Sequence, residues 1–146
     1  MHEIRPLGVQ DREEVVDLFL ADLKSLRIEH SREDLLGVVD RIVGECSNDN
    51  ILWGVRADAT GPLDGVLFAN VFCSIKHAGR ALWLEQLYVR PEARRQGLGK
   101  VLVEKLIEWA DAQGIRGIDL ESYQLNAPAS ILYRSLGFRR LGRERF

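Results

Sequence analysis

The stretch "ALWLEQLYV", residues 81–89, runs straight into "RPEARRQGLGK", residues 90–100, and that junction decides how the chain folds. The first half is aliphatic and aromatic with a single acid, Glu85, which predicts a central strand carrying one buried carboxylate. The second half gathers Arg90, Arg94, Arg95 and Lys100 around Gly97 and Gly99. A helix follows from Gly97 to about Gln113, with Leu98, Leu102, Leu106 and Ala110 on one face and Glu104, Glu108 and Asp111 on another. A strand, a tight turn and a helix start in succession leave main-chain N–H groups unpaired beside positive side chains. Phosphate oxygens suit such a turn, and glycines let them approach the backbone closely.

Upstream, "EIRPL" reads as a short strand closed by Pro6. Asp11 with Glu14 three residues on forms a capping-box pattern, and Val15, Phe19, Leu23 and Leu26 follow at helical spacing. Ser31 with Asp34 repeats the start signal before a stripe of Leu35, Val38, Val39, Ile42 and Val43. "NILWGV" (50–55) and "GVLFANVFCSI" (65–75) are strands joined by a polar, turn-rich segment, a hairpin. Downstream, Gly114 stops the long helix, and "GIDLES" gives a short strand. Asn126 then caps a helix that admits Pro128 in its first turn and ends at Gly137, and "FRRLGRERF" closes the chain as a strand or edge. The order β-α-α-β-β-β-α-β-α-β predicts one α/β (α+β) domain over residues 1–146, built on a mixed, mostly antiparallel sheet flanked by helices.

Bulk properties restrict the function. The 146 residues are 46% hydrophobic and 29% charged with a net charge of −2, an ordinary globular balance that speaks against broad nucleic-acid binding. An anion site must therefore be local. Cys46 and Cys73 are too few and too far apart for a disulfide or zinc framework and read as buried thiols. His2, His30 and His77 share no ligand spacing, so no metal is expected. "MHEIRPLG" has no apolar leader and no run reaches membrane-spanning length, which makes the cytoplasm the expected location.

Two common phosphate motifs do not fit. A P-loop needs Gly-Lys-Ser/Thr, whereas Lys100 is followed by Val101. A dinucleotide fingerprint needs a third glycine where Leu102 stands, and Asp119 alone is weak support for a ribose contact. The spacing Arg94-x-x-Gly97-x-Gly99 after "LEQLYVRPEAR" instead resembles the coenzyme A signature of the GNAT acetyltransferase superfamily. The later "NAPASILYRSLGF", with Asn126, Ala129, Tyr133 and Gly137-Phe138, resembles that superfamily's second signature.

The resemblance implies acetyl-CoA as donor and an amine of a small molecule or peptide as acceptor, in an N-acetyltransferase of the GNAT fold. Main-chain N–H groups of Arg95, Gln96, Gly97, Leu98, Gly99 and Lys100, beside the Arg94 side chain, would hold the diphosphate. Backbone groups of Leu87 and Val89, on a strand that in the family bulges and splays from its neighbour, would pair with the pantetheine amides. A homodimer follows only by analogy with the family.

The chemistry makes two demands. An alkyl ammonium, with a pKa of about 10.4, must lose its proton before attacking a thioester. Glu85 matches the acid often found on that strand, and has two readings of equal standing: proton acceptor, or anion for a cationic substrate or a structural arginine. Alternation puts Trp83 on its face, as a wall of the acceptor pocket. The departing thiolate needs a partner, and Tyr133 matches the family's general acid, against its reading as a packed aromatic. With a pKa of about 10 for tyrosine and about 8.5 for a thiol, a hydrogen bond to the thiolate is the better-founded role than full proton transfer. Asn126 is a cap that the resemblance also places near the coenzyme arm.

Neither cysteine lies in a setting that lowers a thiol pKa, so direct attack in a ternary complex is favoured over an acyl-cysteine. A non-catalytic acyl-CoA-binding or regulatory module of the same fold is the alternative. The resemblance places the acceptor pocket on the first two helices and strand-joining loops. Asp22, Glu29, Glu33 and Asp34 therefore carry a weak hint of a cationic small molecule and, better founded, the reading of a solvated helix surface. Arg134, Arg139, Arg140, Arg143 and Arg145 read as a solvated or dimer-forming tail.

Overall fold

A computed structural model describes residues 2–44, 49–123 and 126–146. Five strands lie in sequence order across one sheet: β1 (Glu3–Pro6), β2 (Asn50–Arg56), β3 (Gly65–Ser74), β4 (Gly79–Val89) and β5 (Ile118–Leu120). The first three junctions are antiparallel and β4–β5 is parallel. Antiparallel neighbours need only short connections, whereas the parallel step from β4 to β5 requires a crossover, supplied by helix α3 (Leu98–Ala112).

Each face of the sheet carries its own core. Ile51, Trp53, Val55, Leu67, Ala69, Leu82 and Leu84 alternate onto the face covered by α3, whose Leu98, Leu102, Val103 and Leu106 meet them. Trp53 packs edge-on against Trp109 with ring centroids 6.4 Å apart. Leu52, Val66 and Tyr88 point the other way, onto helix α1 (Arg12–Ser25) and helix α2 (Arg32–Gly44), and meet Val15, Val16, Phe19 and Val39. Helix α4 (Ala127–Ser135) runs beside β5, and none of its residues is fully buried.

Several local expectations are corrected. Asp11 does not cap α1; its carboxylate reaches back to the Gly8 N–H (2.9 Å) and to Arg5 (2.7 Å), while Glu14 is drawn to Arg56 (3.1 Å). The Arg5 guanidinium and the Gly8 N–H outweigh burial and hold Asp11 below the usual carboxylate range. Ser31 does act as a cap, accepting from the Asp34 N–H at 3.0 Å. Val38 is exposed, and Leu36 packs in its place.

Cys73 is exposed rather than buried, because the end of the β3–β4 hairpin runs past the helices; Cys46 lies outside the described residues. The closing strand expected over 138–146 does not join the sheet, whose last strand is β5. Of residues 139–146 only Leu141 and Phe146 are large and apolar, and both are exposed, so that segment has no hydrophobic face to bury.

Candidate functional site

The site begins where the sheet splits. Strand β4 pairs with β3 along its full length with one irregularity: Phe68 faces Gln86 while Ala69 faces Leu84, which leaves Glu85 as an extra residue in a bulge. Strand β5 accompanies β4 only from Leu82 to Leu84 and then ends. The bulge shifts the alternation of the strand by one residue across the split. Leu82 and Leu84 before it, and Leu87 and Val89 after it, all turn toward α3, while Tyr88 turns to α1.

Hydrogen-bond direction follows the same shift. The Arg90 N–H donates to the Asp64 carbonyl at 2.9 Å, which makes every second residue back to the bulge, Tyr88 and Gln86, a partner of β3. Leu87 and Val89 fall on the alternate positions, so their N–H and C=O groups aim toward the side β5 leaves open. The Val89 carbonyl is engaged by Arg94 Nε at 2.9 Å, which corrects the expectation that it is free. The Val89 N–H and both polar groups of Leu87 remain.

Beyond Val89 the chain turns through Pro91–Ala93 into the Arg/Gly run. Asp64 anchors the root of this turn: its carboxylate accepts from Arg90 and from the Ala57 N–H at 2.6 Å. Burial alone would raise that carboxyl, but the Ala57 N–H and Arg90 outweigh it and hold it low. Arg95 and Gly97 both adopt left-handed backbone, at φ +66° and +75°. For Gly97 this is what the missing side chain permits at no cost, and a Cβ built there meets nothing within 4 Å.

The first bond of α3 runs from the Val101 N–H to the Gly97 carbonyl at 3.0 Å. The N–H groups of Arg95, Gln96, Gly97, Leu98, Gly99 and Lys100 donate to no group among the described residues, and Gly97 offers no side-chain cap. Gly99 fixes the location of this row of donors. A Cβ there would lie 3.6 Å from Leu132 on α4 and 3.9 Å from Leu87 and Val89 on β4. The opening turn of α3 therefore sits beside the mouth of the split. Arg94 lies over the Tyr88 ring, 5.5 Å from its centre, and, like Arg95, Gln96 and Lys100, is exposed around the turn.

On the far wall, the Asn126 side chain accepts from the Ala129 N–H at 3.3 Å and starts α4. Tyr133, about two turns on, packs edge-on to Phe138 at 5.8 Å and is half-buried. Burial, reinforced by the charge of Asp22, pushes its phenol up to about 12. Trp83 and Tyr133 line one groove with Ile118 and Leu120, and Trp83 Nε1 donates to Glu85 at 2.9 Å. Glu85 itself is exposed, not buried, since the bulge lifts it at the point where the β5 cover ends.

The structure thus brings Leu87, Val89, the opening turn of α3 and Leu132 of α4 together, while Trp83, bonded to Glu85, lines a groove with Tyr133. Asp22 is half-buried, where the sequence favoured a solvated surface over a weak hint of a cationic acceptor. Its position is the signal that would have found it: three residues after Phe19 and four after Leu18, it continues the inward stripe of α1. Asp119 takes no part; it pairs with His77 at 3.1 Å. Among the described residues no three His, Cys, Asp or Glu side chains are grouped to hold a metal ion, and no helix is long and apolar enough to cross a membrane.

An open, mostly antiparallel sheet that splits beside a helix N-terminus is the architecture of acyl-coenzyme A N-acyltransferases. The family comparison makes the assignment specific. Residues 27–138 match the model of the Acetyltransferase (GNAT) family, and the chain belongs to that family.

Among curated relatives, the thialysine N-epsilon-acetyltransferase of Sus scrofa is 40% identical over 63 residues, 43% of this chain and 37% of that protein. The [ribosomal protein bS18]-alanine N-acetyltransferase of Escherichia coli K12 is 44% identical over 55 residues, 38% of this chain and 37% of that protein. The chain therefore matches little more than a third of the length of each. A solved structure of the aminoglycoside N-acetyltransferase AAC(6')-Iy in complex with CoA superposes with a TM-score of 0.84 at 19% identity, over 100% of this chain and 93% of that one. At that identity the likeness is one of fold.

Proposed function

We propose that the chain is an N-acetyltransferase that moves the acetyl group of acetyl-CoA to a primary amine of a small molecule or peptide, by direct attack in a ternary complex. One observation carries this reading: six consecutive unpaired amides, from Arg95 to Lys100, open beside a strand whose Leu87 amide and carbonyl face an empty neighbour position. Such donors suit a diphosphate, and a strand edge suits an extended chain of amides. The residues fit the coenzyme on both counts, and the open space at the Gly97 Cβ position leaves room at the turn.

When bound, acetyl-CoA supplies an activated acyl carbonyl at the deep end of the split. The residues of the chain do the rest. The Arg95–Lys100 amides and the Arg/Lys side chains hold the phosphates, and Leu87 and Val89 align the arm, with Asn126 at the edge of α4. An N–H of the open half of β4 polarises the carbonyl. Tyr133 stays protonated throughout the neutral range and donates a hydrogen bond to the sulfur as it leaves. A phenol at about 12 favours that role over full proton transfer to a thiolate. Glu85, held by Trp83, accepts the proton of the acceptor or binds a cationic part of it.

The acceptor class rests on the relatives, whose names specify a thialysine amine, a protein alanine and an aminoglycoside. The reading takes residues 1–146 as one catalytic domain working in the cytoplasm, with a homodimer carried by family analogy alone. Titration calorimetry with acetyl-CoA, followed by coenzyme release over a panel of polyamines, aminoglycosides, amino acids and peptide N-termini, tests it. Saturable binding with acceptor-dependent release is expected. Binding without release for any amine would make the chain a non-catalytic acyl-CoA-binding module, and stronger competition by ATP or NAD than by coenzyme A would remove the coenzyme assignment.

A further inference from the structure

Helix α1 carries four acids, and three of them are paired. Glu13 and Asp17 hold Arg32, and Glu14 holds Arg56. Asp22 forms no ion pair or side-chain hydrogen bond with any described residue, although it is half-buried. A carboxylate left in that condition is costly unless something else completes it.

Its surroundings point to what that is. Leu18 and Phe19, one turn earlier on the same stripe, pack in the cluster that contains Tyr88. Asp22 therefore stands over the open half of β4, on the face opposite α3. Two groups act on it from neighbouring elements: Arg94, from the turn above Tyr88, and Tyr133, from α4. Burial pushes the Asp22 carboxyl up to about 6, with the Arg94 charge pulling the other way.

Resting on the acyl-transfer reading above, we propose that Asp22 determines acceptor specificity: its carboxylate receives the ammonium group of a cationic acceptor on the α1 side of the open half of β4. Asp22 lies outside the residues matched by the family model. The arrangement also couples the two ends of the reaction. An ammonium on Asp22 cancels the negative charge that helps to raise Tyr133, so Tyr133 becomes a better donor when the acceptor is in place.

The test uses the full chain and Asp22→Asn, which keeps the shape and removes the charge. n-Butylammonium chloride is added to protein labelled with ¹³C at aspartate carboxyls, against potassium chloride at equal ionic strength. The Asp22 signal, assigned by its loss in the variant, is expected to shift with the ammonium salt and not with the potassium salt. With an amine that the panel identifies as an acceptor, Asp22→Asn is expected to raise the acceptor KM about tenfold, the effect of losing one partly screened ion pair, while acetyl-CoA affinity stays within about twofold.

The fall in kcat/KM below a pH of about 6 should disappear in the variant, because only the ionised carboxylate binds the cation. An Asp22 signal indifferent to n-butylammonium, or an unchanged acceptor KM and acid limb in Asp22→Asn, would overturn the proposal. A wild type that transfers acetyl to no amine would sink the acyl-transfer reading instead, and the carboxyl signal would still decide whether Asp22 binds an ammonium.

Discussion

The two halves of β4 share one strand and one partner in β3, yet they are different objects. From Leu82 to Leu84 the strand is enclosed: β3 lies on one side and β5 on the other, and the Leu82 N–H donates to the Gly117 carbonyl at 2.9 Å. From Glu85 to Val89 no strand among the described residues pairs on the β5 side, and the equivalent N–H, that of Leu87, has no strand to bond. A single extra residue in the bulge lets Leu87 inherit the direction of Leu82 and Leu84. The same backbone group is structural in one half and available to a ligand in the other.

Proline separates the two roles most sharply, since it deletes the N–H and little else of the ladder to β3. Leu82→Pro leaves the Gly117 carbonyl without its N–H partner and disrupts a fully buried position. A loss of at least about 3 kcal/mol is expected, and urea titration should show it. Leu87→Pro should leave a folded protein whose acetyl-CoA affinity is about tenfold weaker by calorimetry, with Leu87→Ala as the control that keeps the N–H. Equal destabilisation by both prolines would erase the distinction between the halves.

At the mouth of the open half, Gly97→Glu places a carboxylate in the empty space over the α3 amides, on a backbone at φ +75° that disfavours any side chain. Acetyl-CoA affinity should fall about 100-fold or more while the melting transition moves by only a few degrees, since the position is exposed. Unchanged affinity would remove the diphosphate from this turn.

The split itself was not legible in the sequence. Periodicity gave β4 correctly over residues 81–89 because its apolar residues are dense. The family resemblance, not the alternation, supplied the expectation of a bulge. A bulge is set by pairing register, which depends on Phe68 and Ala69 in another strand. For the same reason Glu85 was expected to be buried. The Arg/Gly turn was readable because its signal is local: glycines, arginines and a helix start within ten residues.

Asp22 read more readily as surface than as an acceptor contact, since an acid on a helix is ordinarily solvated. The cluster joined by its helix neighbours Leu18 and Phe19 includes Tyr88, on a strand far along the chain. The tail failed for the opposite reason. Residues 138–146 have strand-like spacing but too little apolar surface to be held against β5.

Tyr133→Phe probes the far wall. The phenol is expected to act by hydrogen bond, so its removal should slow turnover about 10- to 100-fold with acetyl-CoA affinity nearly unchanged. With the phenol at about 12, the wild type should show no loss of rate attributable to Tyr133 between pH 8 and 10, whereas an unperturbed tyrosine would begin to ionise there. A falling alkaline limb that vanishes in Tyr133→Phe would mean the hydroxyl is less buried than the structure has it.

The smallest effect is on stability, and its sign is diagnostic. A carboxyl that sits near 6 in the folded chain and 3.8 in the unfolded one resists ionisation on folding. The penalty is absent below about 3.8, grows between 3.8 and 6, and is complete above 6. Taken at face value the shift corresponds to about 3 kcal/mol, and solvent screening of a group that is only half-buried brings it to about 1–2 kcal/mol. Asp22→Asn should therefore raise the melting temperature by a few degrees at neutral pH, and the gain should shrink toward zero near pH 4 in a calorimetric scan. Asp11 and Asp64 behave oppositely: their carboxyls sit low, so they stabilise the fold at neutral pH and lose that contribution as acid protonates them. A loss of stability on removing the Asp22 charge would mean that Arg94 already satisfies it, and the open half of β4 would then end at a structural ion pair instead of a place kept for a cation.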